Sequence, residues 1–217
     1  MEKSKRTTMK LAIGSSAAVA VFTILFVVAL MTTFDFSSWN GIETYADNFR
    51  TSSLTTVIPS IFLAVSYLIF NVSVHYLTSD DKKIWSHLAM NFGLIYIAIS
   101  MANYFIQLIT VMPSIMNGSL GGLEKLVAGY PNSIFYALMG SYFFMCISLF
   151  FEGLVFHKQI KVFMYLASLY CILSFIIGGV LGMSFFMILG ALCWFIGTVA
   201  GMIMISIYYI KQLKLKE

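Results

Sequence analysis

The sequence predicts an all-α fold, a polytopic bundle of six transmembrane helices with both termini on the cytoplasmic side. Three observations predict it. Of the 217 residues, 60% are apolar and only 10% charged, with a mean hydropathy of +0.91. A soluble domain carries roughly 25% charged residues, so this surface must face something other than water. The apolar residues gather into runs of membrane length, and the charges gather into short clusters between the runs. A single transmembrane domain, 1–217, embedded in a lipid bilayer follows.

The first span is 11–33, an apolar run that reaches about 35 Å as a helix behind the basic start MEKSKRTTMK. A signal peptide would have a shorter apolar region and a small-residue cleavage site, so an uncleaved span is expected. The outer loop 34–53 carries Asp35, Glu43 and Asp47, with Trp39 suited to a membrane–water interface. Span two is 54–77 and holds Pro59 in its first turns, where a missing N–H is tolerated. After the hydrophilic turn TSDDKK comes span three, 84–112. It is expected to end before Pro113, which disfavours helical geometry in the residue preceding it.

The second outer loop, 113–131, contains four glycines and places Leu120, Leu123, Leu126 and Val127 at roughly helical spacing, which predicts a short helix on the interface. Pro131 and Asn132 open span four, 132–156. From Val162 to Ile210 there are 49 residues without a charge, too many for one crossing and right for two, 162–181 and 185–210, with a tight turn at 182–184.

Orientation follows from the basic residues. Lys3, Lys5, Arg6, Lys10, Lys82, Lys83, Lys158, Lys161, Lys211, Lys214 and Lys216 fall on one side, against Arg50 and Lys125 on the other. The excess marks the cytoplasmic side and puts both termini there. The net charge of +4 is made of these flanking clusters, which excludes a nucleic-acid-binding reading.

Four hydrogen-bonding side chains of span three, Tyr96, Ser100, Asn103 and Gln107, share one helical face at i, i+4, i+7, i+11. Span two carries Ser60, Tyr67, Asn71 and His75 in a similar line. Hydrocarbon offers such groups no partners, so both stripes should turn inward and, if they meet, form a polar seam. One reading is packing between helices; the other is a ligand cavity or water-filled path between spans two, three and four. Glu152 is the only acidic residue inside a span, a candidate for proton or cation binding or for a structural pairing near the cytoplasmic end.

His75, His87 and His157 come from separate helix ends without HxxxH spacing, so no metal site is assigned. Cys146, Cys171 and Cys193 lie in apolar runs with no CxxC pattern and read as small core residues. Gly178/Gly182 and Gly197/Gly201 are GxxxG pairs, fit either for packing spans five and six together or for a homo-oligomer or membrane-partner face. Asn117-Gly118-Ser119 is a glycosylation triplet of a kind common by chance. No phosphate-cradling loop, nucleophile elbow or zinc-protease helix is present, and neither a catalytic residue nor a cofactor is assigned.

The polar third span ending NYFIQLITVMPSI, the glycine-containing loop with LEKL and the opening YPNSIFYALMGSYFF of span four resemble, in their order, the small six-helix prokaryotic membrane proteins without an assigned activity. The resemblance covers Asn103 to Glu152 by motif and the rest by topology. It implies a multi-pass protein of the prokaryotic cytoplasmic membrane and supplies no site residues. The function expected is binding or transport of a small polar or amphipathic ligand through the seam. The alternative is a non-catalytic structural or regulatory subunit that associates with another membrane protein, and an intramembrane enzyme using Glu152 with His157 ranks last.

Overall fold

The computed structural model describes residues 3–33, 39–49, 54–127, 130 and 133–215. Asp35, Arg50, Gly129, Pro131, Asn132 and Lys216 lie outside them. Among the described residues the chain is helical and contains no strand. The described residues form nine α-helices in order: α1 (Lys3–Thr33), α2 (Ile42–Asn48), α3 (Leu54–Leu77), α4 (Lys83–Phe105), α5 (Met112–Met116), α6 (Ile134–Met139), α7 (Ser141–Val155), α8 (Lys158–Tyr170) and α9 (Ser184–Lys214). Two π-helical segments, Ile106–Val111 and Cys171–Val180, join α4 to α5 and extend α8. Six stretches are long and apolar enough to cross a membrane: Lys3–Thr32, Thr55–Leu77, Asp80–Met116, Ile134–Val155, Lys158–Val180 and Ser184–Lys214. This is a multi-pass membrane protein.

Three of the five connections are short turns, which force the spans they join to lie antiparallel as neighbours. The packing runs α1 on α3, α3 on α4, α4 on α7, α7 on α8 and α8 on α9, and α9 returns to α1. The six spans therefore form a closed ring in sequence order. Aromatic side chains fill its centre: Tyr67 and Tyr96 rings stand 5.8 Å apart, Tyr96 and Tyr142 5.2 Å, Tyr142 and Trp194 5.3 Å, and Phe26 lies 6.1 Å from Tyr142. These edge-on and offset contacts are the favoured geometry of aromatic pairs, and each ring comes with a large buried area.

The third span continues past Pro113 to Met116 instead of ending before it. The π segment breaks the α ladder at Ile106, and Met112 N–H reaches back to the Gln107 carbonyl. A new α segment starts at Met112, so Pro113 occupies a first turn, where its missing N–H has no intrahelical partner to lose. The expected turn between the last two spans is present: Gly182 has φ +68°, a conformation that favours glycine, and Met183 N–H bonds the Gly178 carbonyl at 2.9 Å.

The two long loops, which follow the first and third spans, fold onto each other. Val111, Leu123 and Val127 form a second small core, packed by Trp39, Ile42, Tyr45 and Tyr130 among others. The expected interfacial helix is reduced to a 3₁₀ turn, Leu123–Lys125, because Leu123 and Val127 turn inward against Val111 rather than toward lipid. The short helix α2, which hydropathy does not mark, completes this cap. Burial among these rings, with Tyr136 nearby, pushes the Tyr45 hydroxyl up to about 12.

Candidate functional site

The polar stripe of α3 is held mainly by α7. Tyr67 OH donates to Ser148 Oγ at 2.8 Å; Ser148 in turn donates to the Ala89 carbonyl at 2.6 Å and lies 3.4 Å from Asn71 Oδ1. Asn71 Nδ2 donates to its own helix, to the Tyr67 carbonyl at 2.8 Å. Gly93 of α4 makes the room for this junction, since a Cβ there would stand 3.0 Å from Asn71 Nδ2 and 3.2 Å from Ser148 Oγ. Ser148 is thus the hub joining α3, α4 and α7.

Nearer the cap, Ser100 and Ser141 hydroxyls pair at 2.7 Å and Tyr104 and Tyr142 hydroxyls at 3.1 Å. Asn103 Nδ2 donates to the Phe135 carbonyl at 3.4 Å, while Gln107 Nε2 donates to the Leu126 carbonyl at 2.9 Å and so ties the third span to the cap. Ser60 turns its hydroxyl back to the Thr56 carbonyl at 2.7 Å. His75 Nδ1 pairs with Ser86 Oγ at 2.9 Å.

The two predicted stripes do face the interior and meet where Tyr67 stands against Tyr96. Most of their hydrogen-bonding capacity is used within the bundle. The partners Ser141, Ser148 and Tyr142 were absent from the sequence-based set. Ser141, Ser148 and Glu152 recur at i, i+7, i+11, so the spacing rule applied to α3 and α4 finds the same inward face on α7.

Glu152 behaves differently from the stripes. It is fully buried, and neither carboxylate oxygen has a hydrogen-bond partner. Among the described residues of the six long stretches, the other acidic residues are Asp80 and Asp81, in the first turn of the third. Tyr67 and Tyr209 lie near enough to feel a charge on it. Thr23 Oγ1, Asn103 Oδ1, Trp194 Nε1 and Thr198 Oγ1 are likewise buried without partners. Together with Glu152 on α7, these buried polar atoms come from α1, α4, α7 and α9. Native interiors seldom leave such atoms unpaired.

A cleft of about 280 Å³ opens at the end of the bundle that carries the interhelical lysines. Asp81, Lys82, His157 and Tyr209 line it, and Tyr209 is also near enough to Glu152 to feel a charge on it. Lys82 Nζ bonds the Val155 carbonyl at 2.7 Å and His157 Nε2 at 2.6 Å, bridging the α3–α4 and α7–α8 turns at its mouth. His75 and His87 rings are 5.5 Å apart, but no group of three or more His, Cys, Asp or Glu side chains converges among the described residues.

The glycine pairs have separate roles. A Cβ on Gly197 would meet the Phe163 carbonyl oxygen at 2.6 Å and Ala167 Cα at 2.8 Å, and one on Gly201 would strike Met164. Gly178 faces Met187 of α9, and Gly182 forms the turn. Gly178, Gly197 and Gly201 therefore pack the fifth and sixth spans on each other.

No family model, curated protein or solved structure matches this chain.

Proposed function

We propose that the protein binds or carries a small polar ligand, a proton or small cation, in the interior of the helix ring at Glu152, with access from the lysine-bearing end. The observation that carries this reading is the buried carboxyl group with two unpartnered oxygens. An uncompensated charge in a low-dielectric interior costs several kcal/mol, so the group calls for a proton, a cation or water as its partner. Tyr67 and Tyr209 are close enough to interact electrostatically with it. The polar stripes, closed by their own bonds, serve to hold α3, α4 and α7 in register around this centre. The excess of lysine at the cleft end supports a cytoplasmic position for that end.

The test is proton flux in proteoliposomes holding a trapped pH-sensitive dye, driven by a potassium diffusion potential, together with stabilisation by Na⁺, K⁺ and ammonium in detergent. The wild type should show flux or cation-dependent stabilisation, and Glu152→Gln should lose it with its fold intact. Identical behaviour of the two proteins would refute the reading.

A structural or regulatory subunit is the second reading, favoured by the stripes being satisfied within the chain. In that case a membrane partner would co-purify equally with the wild type and with Glu152→Gln.

A further inference from the structure

Beside the cleft, between the α7–α8 turn and the last turns of α9, the surface folds into a groove of about 520 Å³. Its apolar floor includes Ile160, Met204 and Ile207; its polar rim includes His157, Lys158 and Lys211, and no carboxylate among the described residues lines it. Lys158 is the one non-glycine residue with positive φ among the described residues, at +55°. That conformation is unfavourable for an L side chain and persists only where the surroundings impose it. The groove lies where apolar spans give way to lysines, the level at which lipid head groups stand.

We propose that this groove binds an anionic phospholipid, its phosphodiester between Lys158 and Lys211 and the start of an acyl chain along Ile160, Met204 and Ile207. Charge and shape together select the occupant. Two ammonium groups with no carboxylate beside them attract an anion, as juxtamembrane lysines attract acidic lipids. A floor of aliphatic side chains gives a free phosphate nothing to contact, whereas it matches a chain already lying in the bilayer. A volume of this size falls in the range of ordinary small-molecule sites, enough for a head group and the first chain segments. The proposal is independent of the role of Glu152.

Native mass spectrometry of the detergent-purified protein tests it, with phosphatidylglycerol, phosphatidylcholine of the same chains and glycerol 3-phosphate as probes. Phosphatidylglycerol should be retained in preference to phosphatidylcholine, and glycerol 3-phosphate should not displace it. K158Q/K211Q should weaken phosphatidylglycerol binding by about fivefold per lysine. K161Q is the control, because Lys161 lies over the Tyr165 ring and outside the groove lining; it should bind as the wild type does. Thermal unfolding checks that all variants are folded. Equal retention of the two lipids, or undiminished binding by K158Q/K211Q, would overturn the proposal. Displacement by glycerol 3-phosphate would overturn the lipid assignment in favour of a plain anion site.

Discussion

Replacing Glu152 by Met should make the protein more stable. Both carboxylate oxygens are buried without partners, and a buried unsatisfied polar group costs about 1–3 kcal/mol. Two such atoms set a range of roughly 2–6 kcal/mol that an apolar side chain removes. Met is unbranched and close to Glu in size, and a swap that conserves volume costs less than about 1.5 kcal/mol in strain or lost packing. A net gain of about 0.5–4.5 kcal/mol is therefore expected for Glu152→Met. Glu152→Gln retains two polar atoms in the same place and should change little. Equilibrium unfolding in mixed micelles, followed by tryptophan fluorescence, measures both. If Glu152→Met instead loses about 1 kcal/mol or more, the carboxylate has a stabilising partner and the reasoning fails. A gain accompanied by loss of proton or cation binding would identify the residue as one held at a cost to stability for its function.

Other expectations follow from single contacts. Ser148→Ala removes the hub that accepts from Tyr67 and donates to Ala89, and should cost about 0.6–1.7 kcal/mol by micellar unfolding; Tyr67→Phe in a double-mutant cycle should show coupling, and additivity would deny the bond. Gly197→Ala drives a methyl group into the backbone of α8 and should cost about 1–3 kcal/mol, whereas Gly14→Ala, with nothing near its Cβ, should be neutral or gain up to about 1 kcal/mol. Equal effects of the two glycine changes would deny the close approach of α8 and α9. A fluorescent protein fused after the last helix should light up in the cytoplasm if the lysine-bearing end faces inward, and a dark fusion that is exported would reverse the orientation.

The six long helices were legible because hydropathy reports a property of each segment alone. The turn at Gly182 was legible for the same reason: 49 uncharged residues exceed one crossing. The stripes on α3 and α4 were also readable one helix at a time. Their partners were not. Which hydroxyl Tyr67 meets depends on α7 packing beside α3 and α4, and no local period reports that. Ser148 was within reach, since it shares a face with Glu152, but a lone serine in an apolar run carries little signal until its neighbours are known. The π segments are invisible to a 3.6-residue period, which is why Pro113 read as a stop. The cap combines residues from two loops distant in sequence, and its helix α2 is too short and polar for hydropathy to mark. Glu152 stood out at once as an acid in an apolar run. That both its oxygens lack partners is known only from the fold.

Proton flux in proteoliposomes, compared between the wild type and Glu152→Gln at equal protein density, tests the role of this carboxyl group most directly. Measurable flux in the wild type that Glu152→Gln abolishes, with the variant unfolding at an unchanged denaturant midpoint, is the expected result. Flux that persists in the variant would contradict it.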